Sequence, residues 1–433
     1  MEYDAYDPTL PSRREDAPED HKNVAYWSCV ALGAGILFPW NAWITAVDYF
    51  EMTYPGRHVD RVFPVLYFFP NVCALLVVLK HGHRLSQRAR VRGGFVVFLL
   101  CLLAPAFASF AVVCVAVALT GAADAFAQGS LFGVVAPMPP SHTQALMAGT
   151  SVSGLVIATL RLTTRAAFGE ANVRTAAGAY FGVAAAWVLA CVALHGVLER
   201  TEMYAYYTRE KDGGGDYVTV EEADEEADET RRALAPGGPS SSSGVGGGGS
   251  GGKRSSRGVG VREARDVLRR AWPQAVSVYA VYAVTLSIFP GVLAEDVSSA
   301  KLGSWYPLVL IACFNLFDVV GKAAPALAPA LAARAGGDAR ALLTLALTRV
   351  LFVPAFVCVS ARRGFEALSA NELPCVLLVM ALGWTNGWVG AVAMMAAPEA
   401  AEASRREACG TVMVLFLLSG LTTGAFCGWL WLL

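Results

Sequence analysis

Eleven stretches of this chain are apolar for long enough to cross a bilayer, and that recurrence constrains the fold more than any other feature. Hydrocarbon offers no hydrogen bonds, so a backbone crossing it must satisfy its own N–H and C=O groups. For runs of this length that means helices. The spans lie near residues 24–47, 62–80, 93–109, 112–136, 144–166, 174–198, 273–293, 305–331, 341–360, 373–395 and 409–431. The third and fourth are almost continuous, parted only by a weak break near Ala106–Phe110. Composition agrees: 55% of residues are hydrophobic and 16% charged, with mean hydropathy +0.47, whereas ordinary soluble domains are about a quarter charged. The expected class is an all-α polytopic membrane protein with about 11 transmembrane helices.

Charge and low-complexity sequence divide the chain into four parts. Residues 1–23 form a charged cytoplasmic leader without the apolar core of a signal peptide. Residues 24–199 hold six spans and residues 272–433 hold five. Between them, residues 200–271 carry an acidic run (Glu221–Glu229), a Pro/Gly/Ser stretch (Pro236–Gly252) and a basic end at Arg269-Arg270. Such a segment cannot bury enough apolar surface to fold, and reads as a disordered cytoplasmic loop. Its end, Val261–Arg270, is expected to lie as a basic helix on the anionic leaflet. Lys and Arg concentrate on the side of the leader and this loop, so the amino terminus is expected inside and, with eleven spans, the carboxyl terminus outside. Arg362 and Arg363 are exceptions to that pattern. No asparagine begins an N-glycosylation sequon.

Polar groups within the spans carry the functional signal. The first span holds Pro39-Trp40-Asn41; proline bends a helix and frees a carbonyl, and a buried amide needs a partner. The eighth span holds Phe314-Asn315 and, one turn apart on one face, Asp318 and Lys322. An ionised side chain at the bilayer centre costs about 2.5 kcal/mol or more on insertion scales, so it must be paired or hydrated. Asp124 and Gln128 lie one turn apart in the fourth span, Arg349 at the centre of the ninth, and Thr385-Asn386-Gly387 in the tenth. So many hydrogen-bonding groups at similar depth exceed the needs of packing. They suit a neutral, hydroxyl-rich solute with a flat apolar part, for which Trp40 and Phe314 could offer faces. Asp124 has no cation on its own helix and is a candidate for proton coupling; lasting pairing with Arg349 or a backbone donor is the alternative. Phe-Pro pairs at 38–39 and 289–290, in the first span of each half, point to a site between the halves.

These motifs together resemble the equilibrative nucleoside transporter family. The resemblance rests on Pro39-Trp-Asn41 with the Ile-Thr-Ala run after it, Gln128-Gly-Ser-Leu-Phe-Gly133, and Met147 with Gly149 and Gly154. In the second half it rests on Phe314-Asn-x-Phe-Asp318-x-x-Gly321, Thr348-Arg-Val-Leu-Phe-Val-Pro354, Asn386-Gly387, and the Glu402–Gly410 entry to the last span. It implies a major-facilitator-like fold of six plus five helices and nucleoside transport by alternating access. By position, Trp40 would border the site, Gln128 would hydrogen-bond the nucleobase, and Asp318 would accept from ribose hydroxyls. Asn41, Phe314, Asn315, Lys322, Arg349 and Asn386 complete the candidate substrate-binding set. Lys322 stands where the family usually has arginine, exchanging a planar fork for a point charge. Asp124 replaces a small residue of the best-known members and looks like the plant-type branch.

The expected function is therefore transport of nucleosides, with nucleobases included, either facilitative or coupled to protons as co-substrate. Its partners would be the nucleoside and the lipid bilayer, at the plasma membrane. The rivals are a transporter of the same fold for another polar solute such as a sugar, and a membrane receptor or scaffold that no longer transports. Mid-depth polar groups argue against the second, because such a protein has no use for them. An enzyme is not expected: no paired-carboxylate or nucleophile–base spacing occurs among the spans, and all six histidines lie near span ends or in the leader. No nucleic-acid footprint, cofactor or metal is expected, and the ten scattered cysteines read as small packing residues.

Overall fold

The computed structural model describes residues 18–81, 84–104, 109–169, 172–209, 261–360 and 371–432. The first set of helices is α1 (Val24–Thr45), α2 (Val47–Thr53), α3 (Val59–His81), α4 (Gln87–Leu102), α5 (Phe110–Val135), α6 (Pro140–Phe168), α7 (Val173–Leu198) and α8 (Glu202–Arg209). The second is α9 (Val261–Ile288), α10 (Gly291–Glu295), α11 (Tyr306–Leu327), α12 (Pro329–Gly337), α13 (Ala339–Thr348), α14 (Phe352–Val359), α15 (Glu372–Ala400) and α16 (Arg406–Cys427). No strand occurs among the described residues.

Among the described residues, ten helical segments are long and apolar enough to cross a membrane, against the eleven expected. The difference is the third span. Helix α4 has 16 residues, about 24 Å at 1.5 Å per residue, which is short of a hydrocarbon core of about 30 Å. Arg88, Arg90 and Arg92 also occupy its first turns. The helix starts before the expected boundary at 93 and stops at Leu102, while residues 105–108 of the proposed break lie outside the described residues. Helices α4 and α5 are nonetheless separate and pack on each other.

Three other boundaries move for local reasons. Helix α9 runs unbroken from Val261 to Ile288, so the expected surface helix Val261–Arg270 is continuous with the helix of the seventh span and not a separate element. Most of the expected loop, 210–260, and most of the leader, 1–17, lie outside the described residues, as do Arg362 and Arg363. The two Phe-Pro motifs also differ: α1 continues through Pro39, whereas α9 ends just before Phe289-Pro290. In the ninth span a 3-10 turn, Arg349–Leu351, separates α13 from α14. Pro354 cannot donate to the carbonyl four residues earlier, at Val350, which accounts for the interruption.

Packing produces two sets of helices that meet along two seams. Helices α1 and α3–α7 pack among themselves, as do α9, α11 and α13–α16. One seam sets α6 against α11 and α15; the other sets α16 against α3 and α5. Glycine permits the closest crossings. A Cβ on Gly149 would meet the Val30 carbonyl where α6 crosses α1, and one on Gly387 would meet the Asp318 carbonyl where α15 crosses α11. The Asp20 carboxylate caps the start of α1, accepting from the Ala25 and Tyr26 N–H groups at 2.9 and 2.8 Å. At the opposite end of the bundle, Arg61 donates to the Gly428 carbonyl at 3.0 Å, tying the start of α3 to the end of α16.

Candidate functional site

The first seam contains a buried polar cluster built from both helix sets. Lys322 Nζ lies 3.1 Å from Asp318 Oδ2, the ion pair expected from their spacing on α11. Both are almost fully buried, at 6% and 4% exposed. Asn386 Nδ2, on α15, donates to Asp318 Oδ1 at 2.7 Å. The Ser151 hydroxyl, on α6, donates to Asp318 Oδ2. Lys322 Nζ in turn donates to Thr150 Oγ1 at 3.2 Å, and its carbonyl accepts from Gln144 Nε2 at 2.8 Å. The carboxylate is therefore held by donors from both helix sets, which is what burial of a charge requires.

Arg349 joins the same cluster through Thr285. Its Nη2 donates to Thr285 Oγ1 at 2.6 Å, and that hydroxyl lies 2.8 Å from Asn386 Oδ1. Nη1 donates to Thr385 Oγ1 at 2.7 Å. A donor chain thus runs from guanidinium to hydroxyl to amide to carboxylate, with the Thr285 proton shared between Asn386 Oδ1 and the Val281 carbonyl. Arg349 stands at the 3-10 turn between α13 and α14, where the chain bends, and is 2% exposed.

Asp124 occupies a second cluster, within the first helix set. Its Oδ2 accepts from Asn71 Nδ2 at 2.7 Å, and Tyr67 lies beside it. The alternative pairing with Arg349 is not present: the arginine is taken up by Thr285 and Thr385, and Asp124 by a neutral amide. Trp40 packs against Tyr67 and Phe68, with ring centroids 4.7 and 4.8 Å apart. Gln128 is buried one turn beyond Asp124, and its Oε1 has no hydrogen-bond partner among the described residues.

The remaining nominated residues bridge or flank these clusters. Asn41, half-buried, finds a partner across α1 and α6, donating to Ser153 Oγ at 2.8 Å. Asn315 donates back to the Ile311 carbonyl of its own helix at 2.8 Å, and its side chain faces Gly154 instead of Asp318. Phe314 stacks on Phe289 with centroids 4.3 Å apart. Toward the Thr45 end of the bundle opens a cavity of about 630 Å³, with Thr45, Tyr49, Arg161, Thr164, Tyr180 and Leu308 among its walls. None of the ten nominated residues lines it. Sequence reasoning missed Gln144 and also Thr150, Ser151 and Thr285, the last three because hydroxyl residues in apolar helices usually bond their own backbone. Asn71 did carry a signal, because Pro70-Asn71 repeats the proline–amide pattern of the first span.

The family model described as nucleoside transporter matches residues 114–433. The chain belongs to the nucleoside transporter family. Equilibrative nucleotide transporter 1 of Arabidopsis thaliana is 32% identical, over 96% of this chain and 88% of that one. Equilibrative nucleotide transporter 8 of the same plant is also 32% identical, over 96% of both chains. The solved structure of a bacterial homologue of the human drug peptide transporters aligns over 95% of this chain and 98% of that one, at 11% identity and a TM-score of 0.46. That last likeness carries no argument about substrate. As a member of this transporter family, the chain is a multi-pass membrane protein and not an enzyme.

The donor chain yields a prediction for this family member. Thr285→Val keeps the shape but leaves the Asn386 oxygen and one Arg349 nitrogen without their shared hydroxyl. Unsatisfied buried groups cost about 1–3 kcal/mol. Thermal unfolding of the purified protein should fall for Thr285→Val and recover in Thr285→Ser. An unchanged transition in Thr285→Val would show that the chain does not hold the cluster.

Proposed function

We propose that this chain carries nucleosides, nucleobases included, across a membrane by alternating access to a site between its six- and five-helix sets. The observation that supports this most is the Asp318 carboxylate at the seam, buried yet held by exchangeable hydrogen-bond donors from both sets. A ribose hydroxyl can take the place of such a donor, and a charge-assisted bond then gives affinity. Trp40 and Phe314 lie in aromatic clusters suited to a base, and the unpartnered Gln128 oxygen can accept from one. Asn41 and Asn315 flank Gly154 between the clusters, while Lys322, Arg349 and Asn386 set the geometry of Asp318.

Uptake of labelled adenosine, uridine and adenine in a transporter-null cell tests the reading directly. Saturable glucose flux without nucleoside flux would overturn it. Asp318→Asn should fold but weaken nucleoside affinity by roughly 10- to 150-fold, the loss of one charge-assisted bond. Ribose-bearing substrates should suffer more than adenine. Lys322→Arg should retain or improve binding. Normal nucleoside uptake by Asp318→Asn at normal membrane expression would remove that residue from the site.

The orientation we propose, with the short helix α4 counted as the third of eleven crossings, puts the amino terminus and the 200–271 loop in the cytoplasm and the carboxyl terminus outside, in the plasma membrane. The excess of Lys and Arg on the leader side supports it. Protease added to sealed, right-side-out vesicles should leave the loop intact until the membrane is opened, and cleavage from outside would reverse the topology.

Protons as co-substrate are the finer proposal, with Asp124 as the coupling group. It is wholly buried, bonded to a neutral amide, and has no ion-pair partner among the described residues. Such a carboxylate can exchange its proton with whichever side the cavity faces. Uptake should rise at acid external pH, collapse with a protonophore, and lose both responses in Asp124→Asn. Wild-type uptake indifferent to pH and protonophore would make transport facilitative and Asp124 structural.

A further inference from the structure

The Asp318–Lys322 pair holds two hydroxyls from the opposite helix set, besides that of Tyr282 from its own set, which meets Lys322. Thr150 and Ser151 are consecutive residues of α6, while the ion pair belongs to α11. Ser151 donates to Asp318 Oδ2, and Thr150 accepts from Lys322 Nζ at 3.2 Å. Thr150 spends its own proton on the Met147 carbonyl, at 2.6 Å, so toward the ammonium it acts only as an acceptor. All four residues are at most 6% exposed. One hydroxyl giving to the carboxylate and its neighbour receiving from the ammonium is the pattern that a sugar's vicinal diol can present to the same pair.

We propose that Thr150 and Ser151 occupy the place of the ribose diol, making them the specificity-determining pair of the site: a riboside displaces them and so releases the seam between α6 and α11. The inference rests on the nucleoside reading above and adds the sugar as the selected part of the substrate. A ribose supplies a replacement for each lost hydrogen bond, so the seam can part without leaving a buried charge unsatisfied. A nucleoside lacking the diol has no such replacement, and parting the seam would cost the bonds of both charges. It binds with Thr150 and Ser151 still in place and is carried slowly. Discrimination then lies in turnover as well as in binding, because the sugar competes with the protein's own hydroxyls.

Uridine and 2′,3′-dideoxyuridine, measured for binding to the purified full chain and for uptake into proteoliposomes, separate the outcomes. Ser151→Ala removes the internal competitor, so the Kd for uridine should fall by about tenfold, the order of one hydrogen bond to a charged group. The Kd for dideoxyuridine should stay unchanged while its uptake rate increases. Ser151→Thr, which restores a hydroxyl, should return wild-type values. Thr150→Val tests the ammonium side and serves if Ser151→Ala does not fold; it too should tighten uridine alone. A weaker Kd for uridine would make these hydroxyls direct substrate contacts, and an equal shift for both ligands would make them merely structural. Unchanged values for uridine would also overturn the proposal. Wild-type protein that binds neither ligand would instead bring down the nucleoside reading itself.

Discussion

A carboxylate and an ammonium buried between two sets of helices must be compensated by hydrogen bonds, and the rest of the seam is arranged around that demand. Asp318 and Lys322 neutralise each other but still need further partners for the carboxylate oxygens and the ammonium protons. Asn386 serves one oxygen from α15; Ser151 serves the other from α6. The approach of α15 depends on Gly387, whose missing Cβ leaves room for the α11 backbone. Behind Asn386 stand Thr285 and Arg349, so a second cation polarises the first anion through neutral groups without touching it.

This division of labour suits a protein that must open and close the same seam. Contacts inside each set are largely apolar and glycine-mediated, and they resist change because close packing tolerates little displacement. Contacts across the seam at Asp318 are hydrogen bonds between side chains, which another hydroxyl or amide can replace one for one. Gln144 adds a bond across this seam by gripping the α11 backbone at Lys322, and Tyr26 of its own helix set holds it there, donating to Gln144 Oε1 at 3.1 Å. A polar seam whose bonds a solute can take over can part without leaving buried groups unsatisfied, which is the physical requirement of alternating access.

The Asp124 cluster follows a different rule. It lies inside one helix set, among Tyr67, Asn71 and the rings around Trp40, with no partner from the other set among the described residues. A change at Asp124 can therefore reach the seam only through the packing of α5 and its neighbours. Gln128, one turn away on α5, is the short route. The second seam, where Thr411 on α16 donates to the Gly129 carbonyl at 3.2 Å, begins at the very next residue.

Sequence alone determined the helical class, because an apolar backbone in hydrocarbon has no other way to satisfy itself. It also marked most of the costly residues: Asp318, Lys322, Arg349, Asn386 and Asp124 stand out as polar groups in apolar runs, and the Asp318–Lys322 pairing follows from one-turn spacing. Helix ends were less legible, as α4 and the run from Val261 show, since charged residues can extend a helix past the membrane without changing its period. Partners between distant helices were decided only by tertiary structure. Nothing local links Ser151 to Asp318, Thr285 to Arg349, or Asn71 to Asp124. A hydroxyl or amide in an apolar helix looks the same whether it bonds its own backbone or another helix, and only the crossing of the helices selects between them.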